Sequence, residues 1–103
     1  MLRAISGNEK GNIVAIGGSA FEKPTHRCVP FISVHRIGTG NFPHITTSTY
    51  PNLEESITNL EFLWLCDEPT LLASDDKNLM VIRFAKEELR VLQVINLHQS
   101  KTN

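Results

Sequence analysis

Residues 57–84 read ITNLEFLWLCDEPTLLASDDKNLMVIRF and carry the clearest pattern in the chain. Apolar runs of strand length are separated here by short clusters of acidic and turn-forming residues, which is typical of antiparallel strands. We predict three such strands, joined by a turn at Cys66–Pro69 and by a tight acidic turn. The strands span Ile57–Leu65, Thr70–Ser74 and Asn78–Phe84.

The same order of residues occurs earlier in the chain. Ile32–Ile37 (ISVHRI) matches Leu79–Phe84 (LMVIRF) at an offset of 47 residues, with a valine and an arginine at equivalent positions. Each segment follows an apolar run and precedes another β-like run. A period in the forties with four strands per unit is typical of a β-propeller blade. The equivalent residues are Val34 and Val81, and Arg36 and Arg83.

We therefore predict one all-β domain, residues 1–103, made of two four-stranded antiparallel units that resemble propeller blades. The first unit is residues 1–50 and the second is residues 53–97. Residues Phe21–Cys28 contain Pro24 and have mixed polarity, so they are predicted to form an inserted loop in the first unit.

Two segments also fit helices. Asn52 and Glu55 can form a capping box, and apolar residues recur at helical spacing through residues 53–65. Residues 87–97 show the same ambiguity, although their β-branched residues favour a strand. An α+β fold with a helix near either segment is therefore the alternative to the all-β fold.

Residues 71–81, LLASDDKNLMV, resemble the second strand, aspartate turn and third strand of a WD repeat. In that family the turn aspartate takes part in a hydrogen-bond network that ties neighbouring strands, and Asp76 has the matching position. The resemblance implies a divergent segment of a WD-repeat β-propeller. The chain departs from the family pattern in having no Gly-His pair before Ile57 and no Trp-Asp pair at the end of either unit.

The composition excludes several classes of protein. The net charge is −1, so no strong field favours nucleic acid or an anionic membrane surface. The chain contains no apolar run of membrane-spanning length, and its first residues lack the layout of a signal peptide. Cys28 and Cys66 do not make a disulfide framework, which favours a reducing compartment. We predict an intracellular protein, cytoplasmic or nuclear.

The sequence offers candidate sites, but each lacks part of the pattern its chemistry needs. The segments Gly17–Ser19 and Gly38–Gly40 lack the lysine and the helix start of phosphate-binding loops. The histidines and cysteines lack the paired spacing of zinc ligands, and neighbouring aspartates in a tight turn usually cap that turn. We predict no catalytic residue, no cofactor and no metal, and therefore not an enzyme. The residues weighed for zinc are His26, Cys28, His35 and Cys66.

The predicted partner-binding residues lie in three places. Arg36 and Arg83 recur in both units, and the alternative to partner contact is that each pairs with a carboxylate such as Asp67 or Glu88. Trp64 is either a core residue or a binding anchor. The acidic turn adds Asp75, Asp76 and Lys77. The loops expected to meet a partner are Phe21–Cys28, Cys66–Pro69 and Asp75–Asn78.

These features favour a non-catalytic scaffold for protein–protein interaction. Two blades cannot close a propeller, which typically has 4–8 blades, so we expect the chain to be part of a larger propeller or to obtain further sheets from a protein partner or by self-association. We expect neither a membrane nor a nucleic acid as partner. The alternative function is a regulatory or accessory subunit of an enzyme complex whose site another chain completes.

Overall fold

Eight β-strands form two antiparallel four-stranded sheets, each in sequential strand order. The computed structural model describes residues 2–8, 12–24, 26–51, 53, 56–65 and 68–97, and within these ranges the fold is all-β, as predicted. Sheet I contains β1 (Leu2–Asn8), β2 (Ile13–Glu22), β3 (Arg27–Arg36) and β4 (His44–Thr49). Sheet II contains β5 (Asn59–Leu65), β6 (Glu68–Ser74), β7 (Asn78–Ala85) and β8 (Glu88–Asn96).

The two segments that also fit helices contain strands. Residues 59–65 form β5 and residues 88–96 form β8, so the α+β alternative does not hold for the described residues. The helical spacing in these segments is overridden because each strand pairs with a neighbour along its whole length. The capping box that we weighed at Asn52 and Glu55 lies outside the described residues.

The predicted inserted loop is instead mostly a hairpin. Residues 19–22 of β2 pair with residues 27–30 of β3, leaving only residues 23–26 as the turn. Pro30 lies inside β3, and the N–H that it lacks leaves no carbonyl unpaired on the β4 side, because the Tyr50 carbonyl opposite accepts from the Leu53 N–H at 3.0 Å. The Pro30 carbonyl accepts a hydrogen bond from the Tyr50 N–H at 2.9 Å. The insertion therefore lengthens two paired strands of sheet I.

The two sheets share an irregularity at equivalent places. The β3–β4 pairing shifts register between Val34 and His35, and the β7–β8 pairing shifts between Val81 and Ile82. These positions are 47 residues apart, the offset that relates the two sequence segments. A register shift of this kind is a β-bulge, which leaves one residue of the partner strand unpaired. The unpaired residues, Ile45 and Leu92, are again 47 apart.

The core is a single apolar layer between the two sheets. One face of sheet I packs on one face of sheet II, and the segment before β5 adds two more side chains at the margin of the layer. Alternation along each strand sends the intervening residues to the opposite face. The buried apolar residues are Ile13, Ala15, Ile32, Val34, Leu53, Ile57, Leu71, Ala73, Met80 and Ile82.

Gly17 in β2 allows the sheets to approach closely. A Cβ atom at this position would lie 3.0 Å from Ile57 Cγ2 and 3.1 Å from Leu60 Cδ1. The Ile57 N–H also donates a 3.4 Å hydrogen bond to the carbonyl of Gly18. A glycine is therefore required here for packing between the sheets, and not for an unusual backbone conformation.

We expect Gly17→Val to lower the free energy of unfolding by about 1–3 kcal/mol, because the added methyl groups overfill this contact. Gly7→Val is the matched control, since a Cβ atom at Gly7 meets nothing within 4 Å. Urea denaturation followed by circular dichroism measures both. Equal destabilisation by the two variants would contradict the close approach at Gly17.

Candidate protein-interaction site

The acidic turn joins β6 to β7 and is organised by Asp75. The side chain of Asp75 is 5% exposed, and its Oδ1 accepts hydrogen bonds from the backbone N–H groups of Lys77 (2.8 Å) and Asn78 (2.6 Å). Asp76 and Lys77 are exposed. The aspartate that holds the turn is therefore Asp75, one residue before the Asp76 that the WD-repeat resemblance indicates.

The two equivalent arginines point to different neighbours. Arg36 lies on the face of sheet I that meets sheet II, and its Nη2 is 3.7 Å from Glu87 Oε2. Arg83 lies on the far face of sheet II, with its Nε 2.8 Å from Glu68 Oε2. That N–H makes no hydrogen bond of acceptable geometry, so the contact is purely an ion pair. Neither arginine pairs with Glu88, and exposed pairs of this kind contribute about 0–1 kcal/mol.

The structure describes the other predicted contact residues only in part. The backbone of Trp64 lies in β5 opposite Pro69, and its side chain is outside the described residues. Cys66 and Asp67, in the predicted turn before β6, are outside them as well. The structure therefore gathers Asp75, Asp76 and Lys77 in one turn, and it sets Arg36 and Arg83 on different faces.

The outer face of sheet II, which points away from sheet I, is apolar at its centre. Leu72, Leu79 and Val81 alternate with core residues, and each is only half-buried. Cross-strand pairing places Ile95 beside Leu79 on the same face. Interior strands that bury one face normally present polar residues on the other. This face therefore has the composition of a buried surface.

Strand β8 is an edge strand with apolar side chains on both of its faces. Val91 and Val94 lie opposite the core residues Ile82 and Met80, whereas Ile95 lies on the outer face. Leu92 is the unpaired residue of the bulge, and all four side chains are at least 38% exposed. An open edge with apolar side chains is a template for another strand or sheet. None of these residues was predicted from the sequence to bind a partner, although the weak alternation of residues 89–97 was a signal for this surface.

The outer face of sheet I, which points away from sheet II, carries a chain of hydrogen bonds. His35 Nδ1 lies 3.1 Å from the Phe42 carbonyl, which can only accept, so Nδ1 carries a proton. In the tautomer that carries its proton on Nδ1, the ring accepts at Nε2 from the Ser33 hydroxyl at 2.9 Å. Thr47 Oγ1 donates to Ser33 Oγ at 3.1 Å, so His44 Nε2 must be the donor in its 2.7 Å contact with Thr47 Oγ1.

These hydrogen bonds follow the order found in a catalytic nucleophile, base and orienting group. The hydroxyl that would be the nucleophile is not accessible to a substrate. Ser33 is only 6% exposed. A surface cavity of about 290 Å³ adjoins His35, and it is lined by Val14, Ile16 and Phe42 but not by Ser33. A substrate in that cavity would meet the imidazole ring and not the hydroxyl. The geometry therefore favours a structural role for the Ser33–His35 pair.

Among the side chains that the structure describes, no group of three or more His, Cys, Asp or Glu residues is arranged to hold a metal ion. Cys28 is exposed and unpaired. Within the described ranges there is no helix that is long and apolar enough to cross a membrane.

A cleft of about 420 Å³ lies between the end of β4 and the inner face of β8. Tyr50 borders it, and its hydroxyl oxygen is buried without a hydrogen-bond partner. Burial raises the pKa of Tyr50, and the neighbouring Ser48 hydroxyl opposes this shift in part. Because Ser48 makes no hydrogen bond of good geometry to the phenol, burial is the effect that decides the direction.

We expect Asp75→Ala to lower the free energy of unfolding by about 1–3 kcal/mol, because two backbone N–H groups lose their acceptor. Asp76→Ala is the matched control and should cost less, since that side chain is exposed. Thermal or urea unfolding of both variants measures the difference. If Asp76→Ala destabilised the protein more than Asp75→Ala, Asp76 would be the aspartate that holds the turn.

We expect stability to become dependent on Tyr50 ionisation above about pH 10, the ordinary pKa of tyrosine. The raised pKa means that the unfolded chain loses this proton first, so alkali favours unfolding by at most about 1.4 kcal/mol per pH unit. Below that pH both states are protonated and the effect is absent. Tyr50→Phe should remove this component from urea titrations at high pH. Tyr50 is the one tyrosine of the chain, so absorbance reports its pKa directly; an ordinary value would contradict the burial.

Comparison of the chain with protein-family models, curated proteins and solved structures found no significant match. The resemblance to WD repeats therefore stays a hypothesis carried by residues 71–81. What the geometry itself supplies is a pair of stacked sheets with an apolar outer face and an apolar edge on one of them.

Proposed function

We propose that this chain is a non-catalytic scaffold for protein–protein interaction, a divergent segment of a propeller-like stack of β-sheets. The observation that carries the proposal is the exposed apolar surface formed by the outer face of sheet II and strand β8. Two interior strands present Leu72, Leu79 and Val81 outward, and β8 adds Ile95 beside Leu79 on the same face. The partner is a protein that covers this surface with a β-sheet.

The energetics support a protein as the partner. Full burial of one large aliphatic side chain is worth about 1.5–3 kcal/mol, so covering several of them can outweigh the cost of association. The edge of β8 also offers backbone N–H and C=O groups to an added strand. Contacts that combine an apolar face with an open edge suit a β-rich protein surface better than a small polar ligand.

The polar features fit a scaffold as well. The buried side chain of Asp75 fixes a turn, and the hydrogen bonds of Ser33 and His35 satisfy each other, so both groups stabilise the sheets. The ion pair of Arg36 with Glu87 links the two sheets at their margin. Each of these groups is used in holding the architecture, which is what a rigid interaction module requires.

Photo-crosslinking tests the proposal. A benzophenone amino acid at Leu79 or at Ile95 should form adducts with a protein in the cells that produce the chain, and the crosslinked peptide should belong to a β-sheet of that protein. Thr39, exposed in the β3–β4 connection, is the control position and should give no adduct. Adding Val81→Glu to the chain labelled at Ile95 should reduce the adduct at least tenfold. Folded protein that gives no adduct at either position would overturn the proposed function.

A further inference from the structure

The two sheets stack head to tail, and the registers show this directly. The offset of 47 residues places Val34 on Val81, and pairing within each sheet then places Ala15 on Leu72. Val34 and Ala15 lie on the inner face of sheet I, whereas Val81 and Leu72 lie on the outer face of sheet II. The inner face of sheet I is thus equivalent to the outer face of sheet II.

The remaining two faces correspond in the same way. Val14 and His35, on the outer face of sheet I, are equivalent to Leu71 and Ile82 on the inner face of sheet II. The interface inside the chain therefore joins two different faces, as in a rotating stack of blades. A two-fold sandwich would instead join equivalent faces. The outer faces of sheets II and I are left open at the ends of the stack. They are equivalent to the inner faces of sheets I and II, which already pack together.

We propose that the occupant of these open faces is a second copy of this chain, with the outer face of sheet II of one copy packed on the outer face of sheet I of the next. This inference rests on the proposed scaffold function and names its partner. Heterologous contacts of this kind close into a ring when the rotation permits. Rings of 4–8 blades correspond to two, three or four copies of a two-sheet chain.

The outer face of sheet I can be covered although it is partly polar. Its hydrogen-bonding side chains form one connected network, so covering them leaves each donor in the path from His44 to the Phe42 carbonyl paired with an acceptor. The cavity of about 290 Å³ between Val14, Ile16 and Phe42 is an apolar recess beside this network. It offers space for the aliphatic side chains that project from sheet II of another copy.

The exposed area of the chain supports an additional interface. The accessible surface is 6797 Å² for a mass of 11.5 kDa, and a compact monomer of this mass is expected to expose roughly 5,800 Å². The excess of about 1,000 Å² exceeds the roughly 800 Å² that each partner buries in a standard interface. A thickness of 20 Å along the shortest axis agrees with a slab of two sheets that lacks neighbours.

Light scattering of the purified chain over roughly 1–100 μM, which brackets weak protein–protein dissociation constants, tests the inference. The expected mass at the upper end is two, three or four times 11.5 kDa. Two matched variants then block one face each: Val81→Glu on sheet II and Val14→Glu on sheet I. Both positions are half-buried valines in interior strands. Each variant alone should remain a monomer, because every contact needs both faces.

Mixing the two variants should restore one intact interface and give a dimer of one copy of each. A two-fold dimer through sheet II would behave differently, since Val14→Glu would still dimerise alone and mixing would add nothing. Circular dichroism checks that each variant is folded, and the pair Leu79→Glu and Phe42→Glu repeats the test if one of them is not. Thr39→Glu is the control and should keep the wild-type mass.

A wild-type monomer throughout this range, or a mixture that gives no new species, would overturn the inference. The proposed function is judged separately by crosslinking. Adducts to a different protein together with a monomeric purified chain would remove the second copy as partner and leave the scaffold function standing. A monomeric chain that gives no adducts would end both.

Discussion

The architecture depends on one apolar layer shared by two sheets. Neither sheet has a core of its own, since Ile32 and Val34 of sheet I are buried only because sheet II covers them. The layer needs close approach, and Gly17 supplies it by leaving room for Ile57 and Leu60. Because a chain of this size has little apolar area to bury, separating the two sheets would remove most of the stabilisation of both.

The packing of the two sheets on one shared layer also leaves two open faces, which differ in polarity. A stack of two sheets has two covered faces and two open ones, and the sequence does not treat the open ones alike. Sheet I closes its outer face with hydrogen bonds among Ser33, His35 and Thr47. Sheet II keeps Leu72 and Val81 on its outer face, where they resemble the residues of a buried layer. The two open faces therefore differ in chemistry: that of sheet I is polar with its groups hydrogen-bonded to one another, and that of sheet II is apolar, so a further sheet can cover either of them.

Much of the fold followed from the sequence, because the signals were local. Apolar runs and turn residues located the strands of sheet II, and the match of Val34 with Val81 located the equivalent strands of sheet I. The hairpin at residues 19–30 was missed because Pro24 and the mixed polarity of residues 21–28 disfavour a strand, whereas pairing between two long strands overrides that preference. The β7–β8 turn has no glycine, although Lys86 and Glu87 both adopt positive φ, so its residues gave no turn signal.

The candidate site was harder to predict, because it depends on contacts distant in sequence. Asp75 and Asp76 are indistinguishable by composition, and only the turn geometry selects Asp75. The equivalence of Arg36 and Arg83 was visible, but their surroundings differ because one lies between the sheets and the other on an open face. The apolar character of β8 was also visible, but whether its side chains are covered depends on what packs beside the strand.

The hydrogen bonds on sheet I have a further physical consequence. Since the Phe42 carbonyl fixes the proton on His35, every donor from His44 onward points the same way. The individual bond dipoles therefore add along the face, with their negative end at His44 and their positive end towards Phe42. Turning any one hydroxyl would force all the others to turn, so this polarity is locked, and any surface laid against it meets a fixed electrical orientation.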